Sequence, residues 1–502
     1  MTKQFSNYSD LITFTRASGG HALRPVSYGD ELLTNGTFDT DSDWTLDTGW
    51  AISNGELVAS SASTGNAAYQ NFTTVVGKTY IASVDCSAIT QGTFRLYWRV
   101  VGGAFQTYSD IVAGGTTTLT FVATSTSTRI NVYALGTSSG VFDNVSVKEV
   151  TFDESDGTLI LFEHPDDVPR VEWDSAGNRL GLLVEEARTN LVTYSEDFSN
   201  AAWAKSAAGT GSIPVITSNY ALAPDGTNNA SRIQMNAGSG TTSGDYSLMR
   251  FTVSSAPTTL TNSLWIKSNT GSSQTVKISY GASDAVHTAT TQWQRFDIVS
   301  GNPNFADVVI RGDQTASSVD LLIWGYQAES GSFPTSYIKS NSGSTTTRSA
   351  DVASIPVADF GYNQSAGTFF VEYTPQVVSA DVRAAFDLTE EGGSTDNRIY
   401  HSGGTGVHWL VRSGASLQAS LDAGTATANQ LNKAAGVYKL NDFAVTIDGG
   451  TVSFDTSGVV PVDIGILYLG KLYNGYELNG HIKSIKYYPR RLTNAQLQDL
   501  TS

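Results

Sequence analysis

The sequence predicts an all-β protein built of three tandem β-sandwiches, and three observations lead to this fold class. Helical periodicity is almost absent along the 502 residues. Short runs of alternating apolar and polar residues are separated by Gly, Asn, Asp and Ser, which is typical of half-buried strands joined by turns. The composition agrees, because 48 glycines accompany a charged fraction of only 15%, against about 25% in an average globular protein.

Net charge and cysteine content exclude several functional classes. The formal net charge of −17 would repel polyanions and anionic lipid surfaces, so neither nucleic acid nor a membrane is expected as a partner. The single cysteine, Cys86, permits no intrachain disulfide and no cysteine-based zinc site. The sequence shows neither a signal peptide nor a bilayer-spanning apolar stretch. A surface-type composition without an export signal suggests a virus particle that is released by lysis.

The clearest predicted strand is TFRLYWRVV, residues 93–101. Its residues alternate with a period of two, as in a strand that buries one face. The apolar face would carry Phe94, Leu96, Trp98 and Val100, and the opposite face Arg95, Tyr97 and Arg99. The segments TYIASVDCS, TLTFVAT, TRINVYAL, VKISYG, RFDIV and VDLLIWGY have the same pattern.

Two segments resemble each other and indicate two copies of one sandwich domain. The first begins at residues 32–44 and ends at 129–150, and the second begins at 190–203 and ends at 319–338. Each opens with a Phe that is followed five or six residues later by a Trp. Each closes with an apolar strand, a turn and a last strand. A repeat of about 150 residues is too long for a solenoid.

A third unit follows the Ser/Thr/Gly-rich stretch at residues 339–354. Residues 444–447 and 451–454 flank Asp-Gly-Gly, which predicts a hairpin. Near the end, Thr493 and Gln496 have the spacing of a capping box, and an apolar stripe follows. This segment is the one clear helix that the sequence predicts.

Four stretches of the chain resemble a motif set of bacteriophage tail-fibre and minor-tail virion proteins. The stretches are FTRAS at 14–18, VPRVEWDSAGNRLGLLVEEARTNL at 168–191, SEDFSNAAW at 195–203, and QAESGSFPTSYIKSNSGSTTTRSADVASI at 327–355. In such proteins the R-A-S and P-R motifs usually lie close together. Here about 150 residues separate them, so the intervening segment looks like an inserted domain, which a surface loop tolerates where the termini of the guest lie close together.

The inserted segment and the C-terminal unit carry resemblances of their own. The insert resembles carbohydrate-binding-module jelly rolls, through L-x-N-G-x-F near its start and FDNVSV at 142–147. The C-terminal unit is similar to laminin-G/concanavalin A-like sandwiches, through GHIKSIKYYPRRLTNAQL at 480–497. Together the resemblances imply three tandem jelly-roll-type sandwiches, with a small N-terminal docking segment, in a virion protein.

The expected domain bounds follow from these motifs. The virion-docking segment comprises residues 1–30 plus 151–190 and is split by the insertion. The remaining units are the inserted jelly roll at 31–150, a second jelly roll at 190–340, a linker at 341–360, and the laminin-G-like sandwich at 361–502.

No catalytic constellation is evident in the sequence. The nucleophile elbow G-x-S-x-G is absent, and no histidine lies in H-E-x-x-H. The adjacent acids Glu185 and Glu186 lie beside Arg188, so a structural ion pair is favoured over acid–base catalysis. A glycosidase needs two carboxylates held about 5–10 Å apart, which a sequence does not reveal. We therefore expect a protein that is not an enzyme.

A structural calcium ion is one expectation that the resemblance implies. Sandwich carbohydrate modules often hold Ca²⁺ where their first and last strands meet. Asp143 of the F-D-N-V motif occupies the matching position, with Asn35 of the N-G turn nearby, and hard oxygen ligands suit this ion. The alternative, that Asp143 only accepts hydrogen bonds from turn amides, stays open.

Sugar binding requires exposed aromatic rings with polar groups beside them. The best candidates are Arg95, Tyr97 and Arg99, because the three side chains share the face opposite the core. Trp50 and Tyr133 are further candidates. For each single residue, burial in the sandwich core is the competing interpretation.

The sequence therefore predicts a structural protein on the surface of a bacteriophage particle, a fibre or adhesin that binds host surface polysaccharide. Other virion proteins are expected partners, and the family resemblance implies a homotrimer. Two alternatives stay open: a purely architectural head fibre or capsid decoration protein, and a polysaccharide depolymerase.

Overall fold

The computed structural model describes residues 12–153, 157–254, 257–278, 286–300, 304–313, 317–378, 383–402 and 406–502. The described elements are nearly all strands, which confirms the all-β prediction. The two described helices are 4 and 8 residues long, and none in the described part of the chain is long and apolar enough to cross a membrane.

The N-terminal third of the chain comprises β1 (Thr13–Thr15), β2 (Gly20–Glu31), β3 (Thr45–Leu46), β4 (Trp50–Ser53), β5 (Glu56–Ala62), β6 (Ala67–Thr73), β7 (Thr79–Val100), β8 (Phe105–Asp110), β9 (Gly115–Val122) and β10 (Ser127–Phe152). The strands that follow are β11 (Thr158–His164), β12 (Val171–Trp173), β13 (Arg179–Val184) and β14 (Arg188–Asn190).

The second sandwich comprises β15 (Trp203–Ala208), β16 (Ser212–Ala221), β17 (Ala230–Asn236), β18 (Tyr246–Thr252), β19 (Leu260–Ser268), β20 (Gln274–Lys277), β21 (Val286–Ala289), β22 (Gln294–Val299), β23 (Phe305–Arg311) and β24 (Ser318–Ser330).

The C-terminal part comprises β25 (Thr346–Arg348), β26 (Val352–Pro356), α1 (Val357–Phe360), β27 (Ala366–Pro375), β28 (Ala384–Glu390), β29 (Arg398–Ser402), β30 (His408–Ser413), β31 (Ser416–Asp422), β32 (Asn432–Lys439), β33 (Phe443–Ile447), β34 (Ser453–Asp455), β35 (Ile464–Leu469), β36 (Gly480–Tyr488) and α2 (Asn494–Thr501).

The inserted sandwich has two layers that share its two longest strands. The first layer has the order β3-β6-β10-β7-β8, and the second has the order β4-β5-β10-β7-β9. Both β7 and β10 bend from one layer into the other, at Gly92 and Gly136, whose φ angles are +69° and +73°. The two layers enclose a single core between Leu33 and Val147.

A three-stranded stem joins this insert to the rest of the chain. Strand β2 lies between β11 and the end of β10, and Val26 pairs with residues of both neighbours. A small apolar cluster of Val26, Val150 and Phe162 packs within the stem. The two chain segments that enter and leave the insert are therefore neighbours, since Glu31 pairs with Lys148.

The second sandwich repeats the topology of the insert. Its layers have the orders β15-β18-β23-β20-β21 and β16-β17-β24-β19-β22. These orders match those of the insert once β19 and β20 are equated with β7, and β23 and β24 with β10. The similarity that the sequence indicated between the two segments is thus a similarity of fold.

The aromatic pair that opens each sandwich is also the same. The rings of Phe38 and Trp44 lie 5.2 Å apart, and those of Phe198 and Trp203 lie 5.3 Å apart, both tilted by 50°. Each indole N–H donates to the carbonyl oxygen of the residue nine positions earlier, at 3.0 Å and 2.8 Å respectively.

The C-terminal sandwich recruits strands from far upstream, which corrects the expected boundaries. Its layers have the orders β1-β26-β35-β28-β29-β30-β31 and β12-β13-β36-β27-β32-β33-β34. Of the described strands in segments 1–30 and 151–190, β1, β12 and β13 belong to this sandwich, β2 and β11 belong to the stem, and β14 pairs with β25. Likewise, the expected linker at 341–360 contains β26, which pairs with β1 and β35. Apolar side chains bury these strands in a shared core.

Two local predictions for this unit are confirmed. The hairpin around Asp-Gly-Gly is formed by β33 and β34, which pair in antiparallel register. The predicted helix is α2, where the Thr493 side chain accepts from the Gln496 N–H and the Gln496 side chain accepts from the Thr493 N–H. Leu492 and Leu497 bury its apolar side against β32 and β33.

Candidate functional site

The outer face of the first layer of the insert carries a cluster of aromatic rings. Alternation along β7 buries Phe94, Leu96 and Trp98 and turns every second side chain outward, as the sequence predicted. Cross-strand register then aligns outward-facing residues of four strands. We name this surface the aromatic face, and its rings are Tyr69, Tyr97, Phe105, Tyr108 and Tyr133.

Tyr97 lies at the centre of the aromatic face. Its ring centroid is 4.5 Å from that of Phe105, 4.9 Å from that of Tyr108 and 5.4 Å from that of Tyr133. Phe105 and Tyr108 are 36% and 45% exposed. The sheet, whose inner face packs in the core, thus holds several aromatic rings where solvent reaches them. Such rings can stack on a flat apolar surface of a ligand.

Three arginines border these rings. The Arg95 guanidinium carbon lies 3.8 Å from the Tyr108 centroid, and its Nε donates to Asp110 Oδ1 at 2.7 Å. Arg99 lies over Phe105 at 4.9 Å, and Arg129 lies over a ring of β6 at 3.9 Å. Contacts of this length are cation–π interactions. The rings and charges therefore form one continuous surface.

Two buried polar atoms of this surface lack a partner among the residues that the structure describes. Asn131 is 1% exposed and lies between Tyr69 and Tyr97 in the sheet register. Its Nδ2 donates to the Tyr97 carbonyl at 3.3 Å, whereas its Oδ1 has no partner in the described part of the chain. The Nε of Arg99 is also without one there. Buried polar groups of this kind are normally hydrogen-bonded, so both atoms are exceptions within the aromatic face, and neither is exposed to solvent in this conformation.

The structure brings four of the five predicted sugar-binding residues together, namely Arg95, Tyr97, Arg99 and Tyr133. It does not place Trp50 with them. Trp50 is 7% exposed, and its ring lies in the core, 5.6 Å from the ring centroids of both Phe94 and Phe142. The expectation for Trp50 is corrected, because the inward face of β4 packs between the layers.

Sequence reasoning missed the most exposed rings of the aromatic face. Phe105 and Tyr108 lie on β8, a strand whose burial does not alternate. A usable signal was present, since Gly102 and Gly103 directly follow TFRLYWRVV and mark a turn. A hairpin at that turn places β8 beside Tyr97 and Arg99, as the structure shows.

The proposed calcium ligands lie near each other, with Asn35 in the N-G turn and Asp143 within β10. The N–H of Val145 donates to the carbonyl of Gly36 at 2.9 Å, so the N-G turn meets the F-D-N-V segment. The Asn35 side chain, however, already caps its own loop: Nδ2 donates to two carbonyls and Oδ1 accepts the Thr40 N–H at 3.2 Å. Burial, followed by repulsion from Asp85, raises the pKa of Asp143.

Within the described residues, no group of three or more His, Cys, Asp or Glu side chains is placed to hold a metal ion. Ca²⁺ usually takes 6–8 oxygen ligands, many of which are carboxylates or carbonyls. Calcium at Asn35 and Asp143 therefore stays a prediction from the sequence.

The motifs that resemble virion proteins converge on a buried cluster of charges, which we name the ionic hub. Arg170 contacts Asp351 at 2.5 Å and Glu185 at 2.9 Å. Arg16 lies 3.3 Å from Asp351, and Arg348 lies 3.4 Å from Glu185. All five side chains are at most 3% exposed. The R-A-S, P-R, V-E and T-R-x-A-D motifs therefore each contribute at least one side chain to this buried cluster.

Glu185 and Glu186, the adjacent acids that were considered for acid–base catalysis, both form ion pairs with arginines. Burial alone would raise the pKa of Glu185, but Arg348, Arg170 and two hydrogen bonds from Ser336 lower it well below its usual range. Glu186 contacts Arg188 at 2.6 Å. This geometry favours the structural interpretation of both acids over acid–base catalysis.

No family model and no curated protein sequence matches the chain. Similar solved structures include the CBM40 module of the Ruminococcus gnavus IT-sialidase bound to α2,3-sialyllactose, at 16% identity and a TM-score of 0.25, covering 28% of this chain and 83% of that one. Domain 4 of the Geobacillus stearothermophilus arabinanase AbnA with arabinotriose is 13% identical, with a TM-score of 0.24, covering 34% and 84%.

A third similar structure is the CBM22-1–CBM22-2 tandem of Paenibacillus barcinonensis Xyn10C, at 11% identity and a TM-score of 0.20, covering 62% of this chain and all of that one. The first and third of these neighbours are carbohydrate-binding modules by name, and the second is a domain of an arabinanase with bound arabinotriose. Likenesses this weak carry no conclusion about the ligand of the present chain, whose sandwich architecture rests on its own strands.

Proposed function

We propose that this chain is a bacteriophage structural protein, a fibre or adhesin that binds host surface glycan through the aromatic face of its inserted sandwich. The observation that carries the binding proposal is the aromatic face itself, where exposed rings and three arginines share one surface. The virion location rests on the motif resemblance alone.

The chemistry of this surface suits a sugar. The C–H faces of a pyranose ring stack on aromatic rings, and its hydroxyls need nearby donors and acceptors. Phe105 and Tyr108 offer the rings, and the guanidinium groups of the three arginines that border them offer hydrogen-bond donors. Such contacts are individually weak. Many copies on one particle would compensate through effective concentration, which fits the expected trimer.

The architectural alternative is supported by a different surface. Strand β16 lies at the edge of its sheet and exposes Ile213 and Val215, at 61% and 58%, and Leu222, which directly follows the strand, is 64% exposed. Apolar edge strands are normally covered by a partner. An attachment contact of the fibre with another virion protein would cover it. Locating the chain in the intact particle separates an adhesin from a decoration protein.

The binding proposal is tested by removing the two exposed rings with Phe105→Ala and Tyr108→Ala together. Each aromatic contact contributes about 0.5–1.5 kcal/mol, so the affinity for host cells or for glycans on an array should fall about tenfold. Phe454→Ala is the matched control, because Phe454 is 63% exposed on β34 of another sandwich. Wild-type binding by the double variant would refute the proposed site, and a chain that ignores both cells and glycans would refute the proposed function.

A further inference from the structure

The aromatic face contains an uncompensated pair of like charges. Arg99 and Arg129 are directly opposite each other on the neighbouring strands β7 and β10. Like charges in this cross-strand position destabilise a sheet. Repulsion by Arg129, after burial, lowers the pKa of Arg99. Such an arrangement lowers the stability of the folded state, and an anion bound between the two guanidinium groups would relieve the repulsion.

Acidic side chains do not neutralise this pair. In the described part of the chain, neither arginine forms an ion pair, whereas Arg95 of the same face does, with Asp110. Arg129 donates instead to the neutral Asn71 Oδ1 at 2.7 Å. Asp47 attracts Arg99 only from a distance, since its carboxylate accepts the Ala67 N–H. Two positive charges therefore remain on a protein whose net charge is −17.

We propose that the aromatic face selects an acidic glycan, with an oxyanion of the sugar bound between Arg99 and Arg129; this inference rests on the proposed glycan-binding function. Guanidinium groups bind carboxylate and phosphate through paired hydrogen bonds. Both guanidiniums lie over aromatic rings, at 4.9 Å and 3.9 Å. The neighbouring rings would stack on the sugar that carries the anion.

Such a site is compatible with the acidity of the whole chain. At 0.1 M ionic strength charges more than about 10 Å away are largely screened. The local arginine pair then dominates over the global charge for one isolated anion per sugar repeat. A dense polyanion such as DNA would extend beyond this pair and meet the negative remainder of the surface. The site therefore selects a polysaccharide that carries widely spaced acidic groups on sugars able to stack on the aromatic rings.

The test compares acidic polysaccharides with their neutral counterparts. Alginate, polygalacturonate, hyaluronan and a wall teichoic acid are immobilised beside the carboxyl-reduced forms of the first three, neutral dextran and xylan, and DNA. Binding of the full chain is measured at 0.1 M salt. We expect binding to one or more acidic glycans and a loss of about tenfold or more on carboxyl reduction. The teichoic acid distinguishes a phosphate ligand from a carboxylate ligand.

Two variants assign the effect to the arginine pair. Arg99→Gln and Arg129→Gln should each weaken binding to the acidic glycan about tenfold, which corresponds to ~1.4 kcal/mol. Both should keep or raise the melting temperature, because each substitution relieves repulsion. Arg490→Gln, at an exposed position of the C-terminal sandwich, changes the net charge equally and should leave binding unchanged.

The remaining outcomes separate this inference from the proposed function. Equal binding of neutral and acidic forms overturns the anion selectivity and leaves glycan binding intact. Binding that is strongest to DNA, or that both arginine variants retain, overturns the assignment of the anion to this pair. Binding to none of the glycans overturns the proposed function, and this inference with it.

Discussion

At the scale of single residues, the ionic hub is a group of five charged side chains that are each at most 3% exposed. Three arginines face two carboxylates, and burial lowers the pKa of Arg16 to about 10, helped by repulsion from Arg170. Arg170 nevertheless stays charged, because attraction by Asp351 and Glu185 outweighs the effect of burial and raises its pKa. Breaking a buried pair costs more than forming it contributes, since the partner is left as an uncompensated charge.

Arg170→Met should therefore destabilise the protein strongly. The substitution leaves Glu185 and Asp351 without their closest cation, and the His21 carbonyl without the guanidinium that donates to it at 3.0 Å. We expect a loss of about 3–5 kcal/mol, observed by differential scanning calorimetry as a lower melting temperature for the transition that contains the C-terminal sandwich.

A matched surface change is the control for Arg170→Met. Arg490→Met removes the same charge from an exposed position and should alter stability by no more than about 0.5 kcal/mol. Equal melting temperatures for the two variants would contradict a structural role of the hub.

The same scale shows what the sequence could reveal about the site. Period-two alternation was enough to place Arg95, Tyr97 and Arg99 on one outward face, because a strand has only two faces. It was not enough for Trp50, where burial depends on the opposite layer. Nor could it pair Asp351 with Arg16, because these residues are 335 positions apart.

At the scale of elements, the bends of β7 and β10 create the aromatic face. The sequence predicted two short strands, TYIASVDCS and TFRLYWRVV, where the structure has one strand of 22 residues. The prediction failed because Gly92 lies between the two and reads as a turn residue. With a positive φ and a neighbouring strand that bends beside it, Gly92 instead continues the strand into the other layer.

Gly92→Ala should therefore destabilise the insert and weaken glycan binding. A Cβ at this position would collide with Ser138 Oγ and lie 2.7 Å from the Thr137 carbonyl oxygen, at a φ of +69°. Strain and overpacking of this kind cost about 1–3 kcal/mol. Thermal unfolding of the insert, followed by tyrosine and tryptophan fluorescence, measures the loss.

Gly102→Ala separates the close contact from backbone strain. Gly102 has a φ of +79°, but a Cβ there would have nothing within 4 Å. It should cost only the backbone strain, which is about 1–2 kcal/mol. If both variants lose the same stability, the approach of β10 to Gly92 is not what constrains this position.

At the scale of the whole molecule, a folded unit does not always correspond to one continuous segment of the chain. The insert is self-contained, since its core residues all lie between Leu33 and Val147. The C-terminal sandwich is not, because β1, β12, β13 and β26 complete its two sheets. Local patterns in the sequence identify each strand, but they do not show which sheet a distant strand joins. The expected boundaries at 341–360 and 361–502 therefore follow the order of segments along the chain, but they leave out strands that belong to the folded C-terminal sandwich.

Two fragments test this difference. Residues 27–152 should fold alone, unfold cooperatively and bind glycan as the full chain does. Residues 361–502 should not, because the fragment lacks four of the fourteen strands and the core side chains Phe14, Val184 and Ile355. Its exposed apolar surface should bind the dye ANS or cause aggregation. A cooperative, dye-free transition for this fragment would contradict the role of the upstream strands.

A complementary deletion keeps those strands and removes only the insert. Glu31 and Lys148 are paired neighbours, so a two-residue Asn-Gly turn can join them as a β-hairpin. The shortened chain retains β1, β12, β13 and β26, and should unfold at the temperature of the C-terminal transition of the full protein while losing glycan binding. If the melting temperature of that transition falls instead, the insert stabilises the C-terminal sandwich through the stem. The insert and the C-terminal sandwich would then not be independent.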